Sequence, residues 1–383
     1  MTAATGTPRR THRKEPRGSM TLVFSGWSAL SPFGAGREEF GQGVRSGTSA
    51  LLAADSVPDR PPTTLAGLIR DFDVREALGS RGTRSMDRLT GLAVKTVGQV
   101  LEELDGPAIC GADTALVLGT TTGSLRSMME FVKDSFVQLK PFQVDPGQFP
   151  NAVMNRAAGQ CAIWHGLRGP NTTIAGGRAA GVAVLQYASR LYHRDRARMV
   201  LCGMAEEFSP HRAWVEHLAA GGTDRPLGEG CAVFVLEPAE SASAAGRTAL
   251  AELVRVEQGV WGADAPVREV LSRLLRSALD VAGVGSDEVA ATVVSGAVGT
   301  DPWEGFSAGE LAAVRDVLPG TEIHSIADLV GDVGAATGGF QLATLLSVDH
   351  SARGSYSMLT SVDLDGVAGC VLIRRTDQSG ATR

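Results

Sequence analysis

The sequence predicts an α/β fold of five alternating layers, α/β/α/β/α, built from two similar halves. From Met20 onward, short apolar runs of β-forming residues alternate with longer amphipathic stretches. This alternation is typical of helices packed against mostly parallel sheet. The order of elements in the first part of the chain recurs in the second, although no close sequence repeat accompanies it. These observations together favour two structurally related halves.

The strands of the first half are short and apolar enough to be buried on both faces. They are predicted at Thr21–Trp27, Thr114–Gly119, Thr172–Ala175, Met199–Gly203 and Cys231–Leu236. Between these runs, Asp87–Leu104 places its apolar residues on one stripe of a helix. Gly177–Tyr192, rich in Ala, Val and Leu, is predicted to form a second helix.

The second half repeats this arrangement. Its strands are predicted at Leu250–Val256, Ala291–Ser295, Glu322–Ser325, Ser357–Val362 and Ala368–Arg374. Its helices are predicted at Val267–Val281, Ser307–Val317 and Gly338–Val348. The small and polar stretch Ala239–Arg247 is the best junction. We therefore predict one half over residues 20–240, the other over 241–376, and a disordered tail over 377–383.

Charge and composition exclude several classes of function. The 383-residue chain has a net charge of −6, and no basic stripe runs through its body, so nucleic acid is not expected as a partner. Basic residues concentrate in residues 1–19, which have the composition of a disordered arm, either an inert leader or a docking segment. That arm lacks the apolar core of a secretion signal, and no apolar run is long enough to cross a membrane.

The cysteines indicate a reducing compartment. They are odd in number, scattered, and without a CxxC spacing: Cys110, Cys161, Cys202, Cys231 and Cys370. Such a set points to reduced thiols in the cytoplasm and not to disulfides or a metal site. No cluster of metal ligands or phosphate-binding glycine loop stands out, so no cofactor or metal is predicted.

Four segments, taken in order, carry a family resemblance. They are VFSGWSALSPFG at Val23–Gly34, MDR at Met86–Arg88, FPNAVMNRAAGQCAIWHGLRGP at Phe149–Pro170, and GEGCAVFVLE at Gly228–Glu237. Together they resemble the β-ketoacyl synthases of fatty-acid and polyketide assembly, which have the thiolase-like fold. The resemblance extends from about residue 20 to residue 375 and implies that fold for the whole body of the chain.

By this resemblance, the position of the nucleophile falls on Arg178. Family members condense acyl thioesters with a cysteine at the start of a buried helix, because a thiolate attacks a thioester well and leaves well. An arginine stays protonated and cannot take that role. Two interpretations of Arg178 remain open. It either fills the vacated pocket and pairs with a carboxylate, or it receives an acidic group from a ligand or a partner.

The other active positions of the family are also replaced. The first histidine aligns with Val298 or a neighbour, the lysine with Ala327, and the second histidine with Asp332, where the alignment is one residue short. Val362 stands at the phenylalanine that gates the acyl pocket. An anionic Asp332 would repel a developing enolate instead of stabilising it. Because such residues act as a unit, their combined loss predicts a subunit that does not condense.

The resemblance then implies a specific role for an inactive member. In type II polyketide systems a chain length factor, similar to the ketosynthase but inactive, completes the dimer and forms part of the wall of the acyl tunnel. The helix after the GTTTG turn is the element that reaches this tunnel. Its residues Met128, Met129, Val132 and Phe136 share one apolar face, which would serve equally in a tunnel wall, a dimer interface or an ordinary core. The expected partners are an active ketosynthase and an acyl carrier protein with its bound chain.

Two other functions remain open at this point. The chain could be a divergent enzyme that processes acyl thioesters with Arg178, Asp332 or the pair Cys161 and His165, which share a helix face at a spacing of i, i+4. It could also be a homodimer that binds an acyl chain or a carrier protein without chemistry. The apolar surroundings of Cys161 favour core packing over catalysis.

Overall fold

The computed structural model describes residues 20–104, 109–296, 306–348 and 355–376. The predicted disordered segments 1–19 and 377–383, together with Val298, lie outside the described residues. Inside the described ranges, each apolar run that the sequence marks as a strand forms one, and each of the predicted helices is present. The periodicity of the sequence therefore identified the main elements correctly.

The first half contains five long strands and four short ones among its described residues. The strands are β1 (Leu22–Ser31), β2 (Gly34–Ala35), β3 (Leu52–Ala53), β4 (Leu65–Gly67), β5 (Thr114–Thr120), β6 (Asn171–Ala175), β7 (Met199–Glu206), β8 (Leu227–Gly228) and β9 (Gly230–Pro238). The helices are α1 (Arg37–Ser46), α2 (Val74–Leu78), α3 (Arg88–Glu103), α4 (Leu125–Val137), α5 (Arg156–His165), α6 (Ala180–His193) and α7 (Pro210–Ala219).

The second half follows a short helix, α8 (Ala239–Ala244), which lies in the predicted junction. Its strands are β10 (Ala251–Val260), β11 (Val289–Val294), β12 (Glu322–Ser325), β13 (Tyr356–Val362) and β14 (Val367–Arg375). Its helices are α9 (Val267–Ala282), α10 (Phe306–Val317), α11 (Ala327–Val330) and α12 (Thr337–Ser347).

The two halves have the same strand topology. In the first, the strands lie in the order β1-β9-β7-β5-β6, and in the second in the order β10-β14-β13-β11-β12. Each order places the first strand beside the fifth, then the fourth, the second and the third. The halves meet where β1 pairs antiparallel with β10, Val23 opposite Glu252. This repetition confirms the prediction of two similar halves, while the residue boundary between them stays a prediction.

The layers follow from which helices contact which strands. Helices α3 and α5 cover the outer face of the first half, and α9 and α10 cover the outer face of the second. Helices α6 and α12 contact strands of both halves and form the central layer. Their positions bury nearly every residue of α12 from Thr337 to Leu345. The predicted five-layer order is therefore confirmed.

Two expectations about the sheet are wrong. The sheet is mixed, because β1, β9, β10 and β14 pair antiparallel with their neighbours, and parallel pairing is confined to strands connected through helices. Strand β6 was expected to be buried on both faces. It instead forms an edge of the sheet, with Asn171 and Ala175 exposed at its two ends. Apolar runs of this length do not distinguish an edge strand from a central one.

The central helices cross at a pair of glycines. A Cβ atom added to Gly181 on α6 would lie 2.7 Å from the Cα atom of Gly338 on α12. This separation is shorter than real Cβ contacts and the neighbour is backbone, so the crossing requires glycine on both helices. The start of α6, where Arg178 lies, is thus fixed against α12.

We predict that Gly181→Ala lowers the free energy of unfolding by about 1–3 kcal/mol, because the added methyl group forces the two helix backbones apart. Gly159→Ala on α5 is the matched control, since nothing lies within 4 Å of its Cβ position. That change should be neutral or slightly stabilising, because alanine is the better helix former. Chemical denaturation of both variants measures the difference, and equal stabilities would refute the close crossing.

Candidate functional site

Arg178 lies on a turn between a strand and a helix, as the sequence predicts. Strand β6 ends at Ala175, a short 3-10 turn spans Gly177–Ala179, and α6 follows. Gly177 has a φ of +50°, and a Cβ atom there would overlap the carboxylate of Asp363, so the turn requires glycine. The turn is the place where the family resemblance puts a nucleophile.

The backbone of this turn is held by residues at the end of β13. The amide of Arg178 donates a hydrogen bond to the Asp363 carboxylate at 2.7 Å. The hydroxyl of Ser361 donates to the carbonyl oxygen of Arg178 at 2.9 Å. Both contacts link the two halves of the chain, so the position of Arg178 depends on the tertiary fold and not only on the local turn.

The side chain of Arg178 binds Asp332, the residue that the sequence resemblance aligns with the second family histidine. The Nη2 atom of Arg178 lies 2.5 Å from Oδ2 of Asp332, and its Nε atom lies 3.2 Å from the same oxygen. Nη2 of Arg225 contacts that oxygen as well, at 2.7 Å. The other carboxylate oxygen of Asp332 accepts a hydrogen bond from the amide of Gly334 at 2.9 Å. One carboxylate thus binds two guanidinium groups.

Burial and the charges of neighbouring groups shift the pKa values in this cluster in opposite directions. Burial by itself would raise the pKa of Asp332, but the guanidiniums of Arg178 and Arg225 outweigh it and hold the pKa well below its usual value. Burial would lower the pKa of Arg178, but the attraction of Asp332 raises it. Burial lowers the pKa of Arg225 to about 10, and the adjacent charge of Arg178 contributes. All three groups are therefore ionised at neutral pH.

Sequence reasoning missed the residues that complete the cluster. Besides Arg225, these are Glu216, whose Oε2 atom lies 2.9 Å from Nη2 of Arg225, and Arg212, which donates to the carbonyl oxygen of Asp332 at 3.0 Å. Arg225 lies three residues before the strand motif that begins at Gly228, and Glu216 and Arg212 lie on α7. No spacing in the sequence marks any of them as neighbours of Arg178.

The cavity beside the cluster offers no group that could attack a thioester. Its volume is about 250 Å³, and no Cys or His is present among its described lining residues, which include Thr121, Arg178, Asp332 and Leu364. Thr121 is the one neutral hydroxyl there, and it hydrogen-bonds to the buried carboxylate of Glu206. A protonated guanidinium is no nucleophile, and Asp332 is occupied by two cations. Among the described lining residues, the arrangement is therefore one of paired charges.

The alternative pair, Cys161 and His165, does not form a catalytic site. Cys161 is fully buried in an apolar cluster, and burial raises the pKa of its thiol well above the usual value. His165 lies with Nε2 2.9 Å from the carbonyl oxygen of Val94, and burial lowers its pKa. A neutral buried thiol does not become a nucleophile in this setting. The sequence preference for core packing of Cys161 is confirmed.

The remaining aligned positions lie near the cluster without joining it. Ala327 begins α11 and is half-buried. Val362, the last residue of β13, is 3% exposed and packs in an apolar cluster of the second half. Its amide donates to the hydroxyl of Ser295 at 3.1 Å. A tunnel role for Val362 stays a prediction, and the first histidine position, Val298, is outside the described residues.

Helix α4 exposes the apolar face that the sequence identified. Met128 is half-buried, while Met129 and Val132 are 41% and 42% exposed and Phe136 is 82% exposed. The apolar surface continues beyond the helix through Leu139 and other large side chains. Large apolar side chains that are exposed close together along the chain are candidates for an interaction site. Ordinary core packing is therefore excluded for Met129, Val132 and Phe136 in the isolated chain.

The comparison with protein families agrees with this geometry. The model of the family described as "Beta-ketoacyl synthase, N-terminal domain" matches residues 21–242, more than half of the chain. The chain belongs to the β-ketoacyl synthase family. The sequence-based assignment to this family is confirmed, and so is the thiolase-like fold that it implies.

Similar proteins include one relative matched by sequence and two solved structures. The 3-oxoacyl-[acyl-carrier-protein] synthase 2 of Staphylococcus aureus (strain MRSA252) is 26% identical, over 87% of this chain and 86% of that protein. Among solved structures, the ishigamide ketosynthase/chain length factor is 39% identical with a TM-score of 0.84, covering 93% of this chain and all of that one. A second structure is AntDE:AntF, a type II polyketide ketosynthase in complex with its acyl carrier protein. It is 18% identical with a TM-score of 0.78, covering 94% of this chain and all of that one. Similarity at this level of identity shows the fold alone.

The described ranges contain neither a candidate membrane-spanning helix nor a candidate metal-binding cluster. No helix there is both long enough and apolar enough to cross a bilayer. No group of three or more His, Cys, Asp or Glu side chains in those ranges is arranged to hold a metal ion.

We predict that Arg178→Met lowers the free energy of unfolding by about 3 kcal/mol, the lower end of the range for removing one member of a buried ion pair, because Arg225 still neutralises Asp332. Arg268→Met is the control, since the pair of Arg268 with Asp316 is exposed and should contribute little. Urea denaturation at neutral pH measures both. If the two variants lose the same small amount, the buried cluster does not stabilise the turn.

Proposed function

We propose that this protein is a non-catalytic ketosynthase-like subunit, a chain length factor, which dimerises with an active β-ketoacyl synthase in type II polyketide biosynthesis. In that complex it shapes the tunnel that holds the growing acyl chain. The observation that carries the proposal is the ion pair between Arg178 and Asp332. By the sequence resemblance, these two residues align with the nucleophile and a histidine of a condensing member of the family.

The chemistry supports an inactive subunit. Condensation requires a sulfur that becomes acylated and hydrogen-bond donors for the enolate and thioester oxygens. In this chain the position of the sulfur is a guanidinium that is already bonded to Asp332. The position of the donor is a carboxylate, which accepts hydrogen bonds and would repel the enolate. By this resemblance, the chain lacks both the sulfur that becomes acylated and the hydrogen-bond donor, so neither group could compensate for loss of the other.

The apolar face of α4 supports a partner subunit. Met129, Val132 and Phe136 are exposed in the isolated chain, and covering them would remove apolar surface from water. The ishigamide ketosynthase/chain length factor is 39% identical to this chain over 93% of this chain and all of that one. These two observations favour an active ketosynthase as the subunit that covers α4. We place the complex in the cytoplasm, consistent with the unpaired cysteines.

The substrate of the complex would be a polyketide or other acyl chain on an acyl carrier protein. A related structure is described as a type II polyketide ketosynthase with its acyl carrier protein and a hexaketide. At 18% identity this similarity concerns the fold alone, and we propose the carrier protein as a partner of this chain. The alternatives, an enzyme that processes acyl thioesters by itself and a binding homodimer, are outcomes of the same experiments.

Co-expression with ketosynthases encoded by the same organism, followed by affinity purification and sizing, tests the heterodimer. We expect a stable one-to-one complex. Phe136→Asp should abolish or strongly reduce co-purification, because a charge placed in the apolar interface would lose its water. Val281→Asp on α9 is the matched control, since that valine is similarly exposed, at 61%, on a different helix.

Three results would contradict the proposal. A monodisperse homodimer that binds none of the ketosynthases would favour the binding homodimer. Turnover of an acyl thioester by the isolated protein, abolished by Arg178→Ala, would favour the divergent enzyme. Equal co-purification of the Phe136→Asp and Val281→Asp variants would remove α4 from the interface.

The tunnel role makes a separate prediction about the product. If Met128 faces the acyl chain, Met128→Trp should shift the product of the reconstituted complex to a shorter chain, because a packed wall tolerates little extra volume. Val281→Trp is the control and should leave the product unchanged. Mass spectrometry of the released product gives the chain length. An unchanged length with Met128→Trp would place the tunnel elsewhere without affecting the heterodimer.

A further inference from the structure

A second cavity lies away from the cluster of Arg178 and Asp332. It is bordered by the small sheet of β3, β4 and β8 and by the first turns of α3, α4 and α7. Its volume is about 640 Å³, compared with about 250 Å³ for the cavity beside Arg178. The two cavities share no lining residue. This volume is within the range of sites that bind small molecules, and neither the proposed dimer nor the acyl tunnel uses it.

The inner wall of this cavity is apolar. Val57 and Leu68 line it together with Phe208, and all three belong to a small hydrophobic cluster around Ala66 and Leu227. Phe208 is 7% exposed, so the wall is held rigidly by packing. An apolar group placed against these side chains would be removed from water on one side by a preformed surface.

Arginines supply the charge of the cavity. The guanidinium of Arg88 is held by other protein groups. It binds Glu229 at 2.6 Å and donates hydrogen bonds to the carbonyl oxygens of Ile69 and Phe72. Arg70 and Arg126 line the outer part and are exposed.

The charges of these two outer arginines are available to a ligand. Arg126 pairs with Glu130 on its own helix in an exposed contact that a ligand can replace easily. Asp59 is the opposing charge at the mouth, so the outer part carries two guanidiniums and one carboxylate.

The backbone around the mouth adopts an uncommon conformation. Asp59, Arg60 and Asp71 have φ angles of 63°, 40° and 55°. Among the described residues outside glycine, the one other positive φ angle is at Asp195. Residues in this region of φ cost conformational energy and concentrate at ligand sites, where the surrounding structure holds them. Asp59 lines the cavity, and Asp71 directly follows the lining residue Arg70.

We propose that this cavity binds a small amphiphile, with an acyl or aryl body against Val57, Leu68 and Phe208 and an anionic head at Arg70 and Arg126. The head is a carboxylate or a phosphate, since a guanidinium binds either through parallel hydrogen bonds. The inference does not depend on the chain length factor role, because no residue of the Arg178 cluster or of the apolar face of α4 takes part.

Isothermal titration of the purified protein with decanoate, decyl phosphate and decanol tests the site. The protein is used alone if it is soluble, and otherwise as the complex with its co-expressed ketosynthase. We expect saturable binding of at least one of the two anions. The double variant Arg70→Gln/Arg126→Gln should weaken the binding of that anion at least tenfold and leave decanol binding unchanged. Preference for decanoate or for decyl phosphate then identifies the head group.

A second variant distinguishes this cavity from other acyl sites in the same preparation. Ala53→Trp places a large ring at an exposed position of the wall and should weaken both the anions and decanol. Arg198→Gln, which removes an exposed arginine far from the cavity, is the control and should change nothing. The proposal is overturned if neither anion binds saturably. It is also overturned if binding is the same in the unmodified protein, the double variant and Ala53→Trp.

Discussion

The carboxylate of Asp332 is the interaction on which the centre of this protein depends. One of its oxygens binds the guanidiniums of both Arg178 and Arg225. Through them it joins the turn before α6, the segment before β8, and the loop after α11. Without this carboxylate, Arg178 would lose its salt bridge to Asp332 and Arg225 would keep its salt bridge to Glu216, so the buried positive charge would be compensated less completely. The position of the turn before α6 therefore depends on Asp332.

Opposite charges at this centre stabilise one another across the two halves of the chain. Arg178 and Asp332 lie at hydrogen-bond distance, so neither charge is buried without a counterpart. Arg225 binds Glu216 as well as Asp332, which extends the ion pairing over four residues. The centre is therefore a structural contact, and our proposal of a non-catalytic subunit depends on that contact.

The exposed apolar surface of this chain also needs a physical reason. Helix α4 leaves Met129, Val132 and Phe136 in contact with water, and among the described strands β6 lies at an edge of the sheet. A chain that acted alone would gain stability by covering or replacing such residues. The ion-paired centre and the exposed helix are the two observations that support our proposal, in which the chain contributes shape and surface to a complex with an active ketosynthase.

The sequence by itself determined the layers and the order of the motifs. Periodicity and short motifs are local, and the family resemblance predicts the nucleophile position at Arg178 by counting along the chain from Gly169. Only the tertiary structure showed that Arg178 pairs with Asp332 and that Arg225 binds the same carboxylate, because these residues are distant in sequence. Likewise, an amphipathic stripe such as that of α4 has the same pattern whether it faces a core or a partner. Only the packing of the described residues shows that it is exposed there.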